Sequence, residues 1–224
     1  MNKYVLKFRK EGYIKYISHL DLVRLFHRSF KMTNLHLNYS LGFNPHPKMS
    51  FVQPLSLGYS SRAELLEFEL QENLFCNDII SKLNSVLPDG IEVLDCKEFH
   101  DNKTLSSNVI SSIYNIYFPT DISLNDFSAI INSYMVQSEI NTIKKSKKKD
   151  EVKSVNIKPM IRNLECKKLG DYVVIKSELD SGSTSNLSPE LLISSILSFS
   201  KININRYDIE VERLEIKFSS NFQI

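Results

Sequence analysis

No two cysteines in this sequence form a Cys-x-x-Cys pair. The three present, Cys76, Cys96 and Cys166, are odd in number and far apart, which excludes a standard zinc motif and the close thiol triplet that holds an iron–sulfur cluster. They read as buried apolar residues of a reduced cytosolic protein. No run approaches the roughly 18 apolar residues of a membrane span. The first ten residues carry charges throughout and lack the apolar centre of a signal peptide. A cytoplasmic location with no membrane contact is the expectation. An excess of one charge is also missing: 28 Lys and Arg against 26 Asp and Glu leave a formal charge of +2. Electrostatic arguments therefore rest on where the basic residues sit. Tryptophan is absent, although aromatic residues make up 10% of the chain.

What is present is an ordinary globular composition, 42% hydrophobic and 24% charged over 224 residues, enough for two units of about 100 residues. Tyr4 to Phe8 alternates as a half-buried strand. Ser18 is placed to cap a helix from about His19 to Thr33, with Leu20, Val23, Phe26, His27 and Phe30 at helical spacing. Gly42, Pro45, Pro47, Pro54 and Gly58 then break regular structure, leaving a structured loop with short extended pieces at 37–40 and 49–53. A strand at 64–70, a helix at 76–87 stopped by Pro88-Asp89-Gly90, and a strand at 91–99 complete the order β-α-β-β-α-β. The second half repeats it: strand 113–118, helix 124–136 after Ser123, paired strands near 155–161 and 172–179, helix 189–199, strand 209–218. The expected fold is α+β, two tandem ferredoxin-like (βαββαβ) units with antiparallel sheets. Their boundary falls in the polar stretch His100–Asn108, giving units 1–103 and 104–224.

Chemistry-bearing residues concentrate in Ser18-His19-Leu20-Asp21-Leu22-Val23-Arg24 and Gly42-Phe43-Asn44-Pro45-His46-Pro47-Lys48. Asp21, Arg24 and Arg28 share one helix face by their spacings of three and four, and two guanidinium groups there can grip a phosphate or carboxylate. His19 lies in the first turn, where the helix dipole disfavours protonation. His46 is held extended between two prolines. A loop folding back over the helix start would gather His19, His46 and a carboxylate from Asp21, Glu64 or Glu67 into an acid–base pair or a site for a divalent metal. Tyr39 and Phe43 offer stacking faces, Asn44 an edge for hydrogen bonds and Lys48 a phosphate contact, a mixture suited to a nucleotide or single-stranded RNA. Each feature also has a plain reading: a solvated helix face, histidines bonded to backbone carbonyls, aromatics that anchor their own loop. In the second half Lys144, Lys145, Lys147, Lys148, Lys149 and Lys153 form a basic run near the tip of a strand pair, a solvated surface or a polyanion contact. Ser181–Ser188 precedes Pro189 as a cap that can receive an anion.

With Tyr39-Ser40, Pro54-Leu55, Leu57-Gly58 and Glu64, the two segments resemble the uncharacterised radical-SAM-linked proteins, named for chains fused to or encoded beside a radical SAM enzyme. The resemblance covers most of the chain, most strongly 13–70, and implies a functional link to such an enzyme. Lacking a cysteine triplet, this chain would serve that catalyst rather than be it. In the segment Val155-Asn156-Ile157-Lys158-Pro159 the resembled strand has an Asp and an Arg where this chain has Asn156 and Lys158. Three functions follow as expectations: an RNA-binding accessory protein working with a radical SAM enzyme, an enzyme using His19, His46 and Glu64 on a phosphorylated or nucleotide substrate, or an interaction module that docks through Phe43. Endonucleases that process CRISPR RNA share the tandem architecture, but their glycine-rich loop near the C-terminus has no counterpart in 209–218.

Overall fold

The computed structural model describes residues 2–100, 104–145, 152–219 and 224. The fold is mixed α+β, with mostly antiparallel strands and four α-helices among the described residues. The chain divides into two compact units, Met1–Asn108 with Phe218–Ile224, and Val109–Lys217.

The first unit runs β1 (Asn2–Lys10), α1 (His19–Met32), β2 (Met49–Phe51), β3 (Ser60–Leu70), α2 (Cys76–Asn84) and β4 (Ile91–Glu98). Its strands lie in the order β4-β1-β3, and β2 covers three residues of the far edge of β3. Each of these pairs is antiparallel. Alternation on β1 and β3 sends Tyr4, Leu6, Phe8, Leu66, Phe68 and Leu70 to one face, where they are buried with the apolar side of α1 and with Ile79 and Leu83 of α2. The α1 stripe sits differently from its sequence expectation. Leu22, Phe26, Ser29 and Phe30 are the buried positions, whereas Leu20 is 66% exposed, because Leu20 falls on the Arg24 side of the helix.

Both ends of α1 follow from local chemistry. The Ser18 side chain accepts the Asp21 N–H at 3.1 Å. At the other end Asn34 adopts a left-handed conformation while the Leu35 N–H donates to the Phe30 carbonyl at 3.0 Å, the closure expected of a Schellman turn. The entry to β4 uses Gly90 at φ +91°, where an added Cβ would stand 2.5 Å from the Glu11 carbonyl. Gly90→Ala is therefore expected to cost about 1–3 kcal/mol, read as a lower urea midpoint at unchanged slope.

The second unit runs β5 (Val109–Pro119), α3 (Leu124–Val136), β6 (Asn141–Lys145), β7 (Val152–Asn156), β8 (Ile161–Leu169), β9 (Tyr172–Asp180), α4 (Pro189–Ser200) and β10 (Glu210–Phe218). Its main strands lie in the order β10-β5-β9-β8, and β6 and β7 form a separate antiparallel pair. Both α-helices match their predicted spans within a residue and share the expected caps, Ser123 and Ser188. The partner of β9 does not match. The strand expected at 155–161 ends at Asn156 as half of a hairpin, and β8 takes its place beside β9. Pro159, in the short turn Lys158–Met160, separates the two. The end strand β8 hides in the sequence because its exposed positions carry charges, as unpaired edges commonly do.

Asn156 has a structural task that accounts for the residue type. Its Oδ1 accepts the N–H groups of Ile140 at 3.0 Å and Lys158 at 3.1 Å, closing the base of the β6–β7 hairpin. An Asp there would supply the same acceptor oxygen. Among the described residues no helix is long and apolar enough to cross a membrane.

Candidate functional site

A side-chain contact joins the exposed side of α1 to the loop that follows it. His27 Nε2 lies 3.2 Å from the Tyr39 hydroxyl. At 100° per residue His27 borders the arc that holds Asp21, Arg24, Arg28 and Lys31, so this contact sets the base of the loop at the edge of that arc. Asp21 is committed locally. It accepts the Ser18 hydroxyl at 2.6 Å and the Arg24 guanidinium at 3.0 Å, and these two bonds hold its carboxyl below the usual carboxylate range. Arg24 remains 76% exposed despite that pair. Arg28 is exposed.

The loop is a backbone-paired hairpin. Leu37 bridges Leu70, and Tyr39 bridges Pro47. The Lys48 N–H donates to Asn38 O at 2.7 Å, and the Ser40 N–H to His46 O at 2.8 Å. The His46 N–H returns a bond to the Ser40 hydroxyl at 3.0 Å. Pro45 and Pro47 stiffen the returning arm. Beyond these bonds stands the tip, with Leu41 at 101% and Phe43 at 110% exposure and Asn44 exposed beside them. Lys48 is spent differently from its sequence reading: its ammonium pairs with Glu69 at 2.7 Å.

Burial pushes the His27 imidazole below its ordinary value, and the nearby Lys31 ammonium adds to the effect. The folded state therefore binds fewer protons at this site than the unfolded chain does. Its contribution to stability is intact above the unfolded pKa of about 6.5 and is lost as pH falls below that toward the depressed folded value. The expected result is a fall in thermal midpoint from pH 7.5 to pH 5.5 that is smaller in His27→Gln than in the wild type.

The predicted set of His19, His46 and Glu64 is distributed over two places. His19 packs its ring edge-on to Phe51 at 5.3 Å, and Phe51 in turn touches Phe8, the residue opposite Glu64 across the β1–β3 ladder. Glu64 is only 2% exposed, and so is Lys10 at the end of β1. The Lys10 ammonium donates to the Lys15 carbonyl at 3.4 Å. His46 belongs instead to the hairpin, whose root is tied to Glu69. Five strand positions, about 16 Å, separate Glu69 from Glu64. Glu67 also has other duties: it pairs with Lys3 at 3.1 Å and accepts the Leu105 N–H at 2.5 Å. Among the described residues no group of three or more His, Cys, Asp or Glu side chains is placed to hold a metal ion.

In the second unit Lys144 and Lys145 end β6, while Lys147, Lys148 and Lys149 lie outside the described residues. The serine-rich turn before α4 faces an acid. Ser185 donates to Asp180 at 2.6 Å, Asp180 also holds Arg162, and the Ser188 side chain accepts the Leu191 N–H.

A family model described as an uncharacterized protein conserved in bacteria (DUF2344) matches residues 3–189. The chain belongs to this family. No curated protein matches it significantly. Among solved structures, a chain in the crystal structure of a Cbf5-Nop10-Gar1 complex is similar over 95% of this chain at 12% identity, with a TM-score of 0.50. That match covers 48% of the other chain, so this family member spans about half its length. An unknown protein from Galdieria sulphuraria, 10% identical, aligns over 96% of this chain and 98% of its own at a TM-score of 0.27. A putative glycine cleavage system transcriptional repressor, 10% identical, aligns over 98% of each chain at 0.24. The first likeness concerns fold; the other two are too slight to argue from.

Buried Lys10 is a candidate residue that motif reading passed over. Its signal was available in the strand period, since Tyr4, Leu6, Phe8 and Lys10 share one parity, as do Glu64, Leu66, Phe68 and Leu70.

Proposed function

We propose that the protein is a cytoplasmic RNA-handling accessory protein made of two successive ferredoxin-like units, and that it presents single-stranded RNA to a radical SAM partner enzyme. The observation that carries the RNA reading is the contact between His27 and Tyr39. It ties the base of a stiff hairpin bearing Phe43 and Asn44 to the border of a helix arc bearing Arg24, Arg28 and Lys31. Cations spaced along a helix with an aromatic face beside them suit a flexible polyanion with stackable bases. Supporting the paired-unit reading, strand order in the second unit, β10-β5-β9-β8, repeats β4-β1-β3-β2 of the first position for position. The partner enzyme rests on the sequence resemblance, and the lysine run of the second unit is a further candidate contact for the same polyanion.

The test is fluorescence anisotropy with a labelled 12-nucleotide single-stranded RNA, its duplex and the matching DNA, each at 50 and 200 mM salt. Tighter binding of the single strand, weakened by salt, is the expected outcome. Equal binding of single strand and duplex, or none at 50 mM, would remove RNA from the proposal.

A second reading draws on the burial of Lys10 and of Glu64, which lies across the β1–β3 ladder from Phe8. Ionisable groups in such surroundings are characteristic of acid–base sites. An enzyme of this type acts on a phosphorylated or nucleotide substrate, with or without a divalent metal. Turnover of a nucleotide panel by the wild type, lost in Glu64→Gln while RNA binding persists, would bring this reading forward.

A further inference from the structure

A cleft of about 550 Å³ in the second unit lies between α4 and β6. On the helix its wall is Leu191, Ser194, Ser195, Ser198 and Phe199, spaced as one helical face. On the strand it is Asn141, Thr142 and Ile143. Three consecutive strand residues send their side chains to alternate faces, so they border one cleft together only where that cleft runs along the strand's edge. The other edge of β6 is taken by β7, and these two strands form a sheet of their own.

The main chain of β6 has a definite orientation toward this cleft. The Ile157 N–H donates to Ile140 O at 2.8 Å, which puts Ile140 among the residues bonded across the hairpin. Alternation then assigns Thr142 and Lys144 to β7 and turns the N–H and C=O groups of Asn141 and Ile143 to the open edge. Ile143 is 63% exposed and Phe199 39% exposed. Among the described residues the walls carry no charged side chain, but the ammonium of Lys158 is bonded to the carbonyl of Gln137 at the cleft margin.

We infer that this cleft receives an extended peptide segment of a partner protein, which adds to the open edge of β6 as a strand and packs against α4. The outward main-chain groups of Asn141 and Ile143, unpaired among the described residues, recognise an extended backbone, and alternate apolar side chains of the peptide meet Ile143, Leu191 and Phe199. An acidic residue at the peptide's flank answers the Lys158 ammonium at the cleft margin. The inference stands apart from the α1 side and its hairpin, on which the RNA reading rests, because the cleft walls lie in the second unit.

Ser194 and Ser198 donate only to carbonyls of their own helix, at 2.9 and 2.8 Å. Arginine at both positions therefore keeps the helix and fills the cleft. The test pans a display library of random decapeptides on the intact wild-type protein, with S194R/S198R as counter-target. Enriched peptides should carry apolar residues two apart with an acidic flank, bind the variant at least tenfold more weakly, and slow amide exchange at Ile143. Ile143→Pro, which deletes the outward N–H and leaves the helix wall intact, should lose the same binding. Three results would overturn the inference: no enrichment over the counter-target, protection of β7 in place of β6, or displacement of the peptides by oligouridylate.

Discussion

Alanine at both Arg24 and Arg28 is expected to weaken single-stranded RNA binding and to flatten its salt dependence, lowering the slope of log K against log salt by about 1.4. That figure follows from two lost phosphate contacts at roughly 0.7 each for single strands. Phe43→Ala should behave differently. Loss of one stacking platform costs about 1–3 kcal/mol, roughly 5- to 150-fold in affinity, and leaves the salt slope where it was. Lys48→Ala should do least, since that ammonium already faces Glu69 at 2.7 Å. All four side chains lie on the surface of α1 or its hairpin, so stability should move by no more than about 0.5 kcal/mol for Arg24, Arg28 and Phe43. A common slope for wild type and the double variant would show that the α1 side does not neutralise phosphate. An unchanged affinity in Phe43→Ala would remove stacking from the account.

The elements that a sequence announces best are those whose signal is both local and periodic. Ser18, Ser123 and Ser188 each cap the helix that begins one residue later, because a hydroxyl followed by a free N–H is a short-range event. The strands β1 and β3 were legible for a similar reason: apolar residues at every second position face a single core. What escaped was set by partners far along the chain. Nothing in Asn141–Lys145 reveals that it pairs with Val152–Asn156, and β8 is masked by Lys and Glu at an unpaired edge. The proline-rich stretch was rightly a structured loop, yet the pairing of Ser40 with His46 depends on backbone bonds that no spacing encodes.

The same division explains the candidate site. Asp21, Arg24 and Arg28 could be placed on one side of α1 from helical geometry alone. That Tyr39 would reach His27, on the border of that arc, required the hairpin to fold sideways against the helix, a tertiary fact. Proximity of His19 to His46 was likewise a tertiary expectation, and the structure ties His19 to the Phe51 ring and His46 to Ser40. Asn156 is the reverse case. Where the resembled strand has an Asp, this side chain is an acceptor for two backbone N–H groups, a task that needs only an oxygen and that amide and carboxylate can both perform.

Phe26→Ala is expected to produce the largest loss of stability, about 3–5 kcal/mol. Phe26 is fully buried and meets Phe8 at 4.9 Å and Phe51 at 5.7 Å between ring centroids. Removing the central ring leaves a void that β1 and β2 cannot both close, since Phe8 and Phe51 are held by their own ladders to β3. Phe26→Leu keeps most of the volume and should cost only about 1–1.5 kcal/mol. Against a total stability of about 5–15 kcal/mol, the alanine variant loses a large share, seen as a lower urea midpoint and faster amide exchange in β1, α1 and β3. Because the same helix carries Arg24, His27 and Arg28 on its other side, RNA affinity should fall with it, whereas Phe43→Ala lowers affinity alone. A midpoint shift worth less than about 1 kcal/mol in Phe26→Ala would mean that the three rings do not form the keystone of this core.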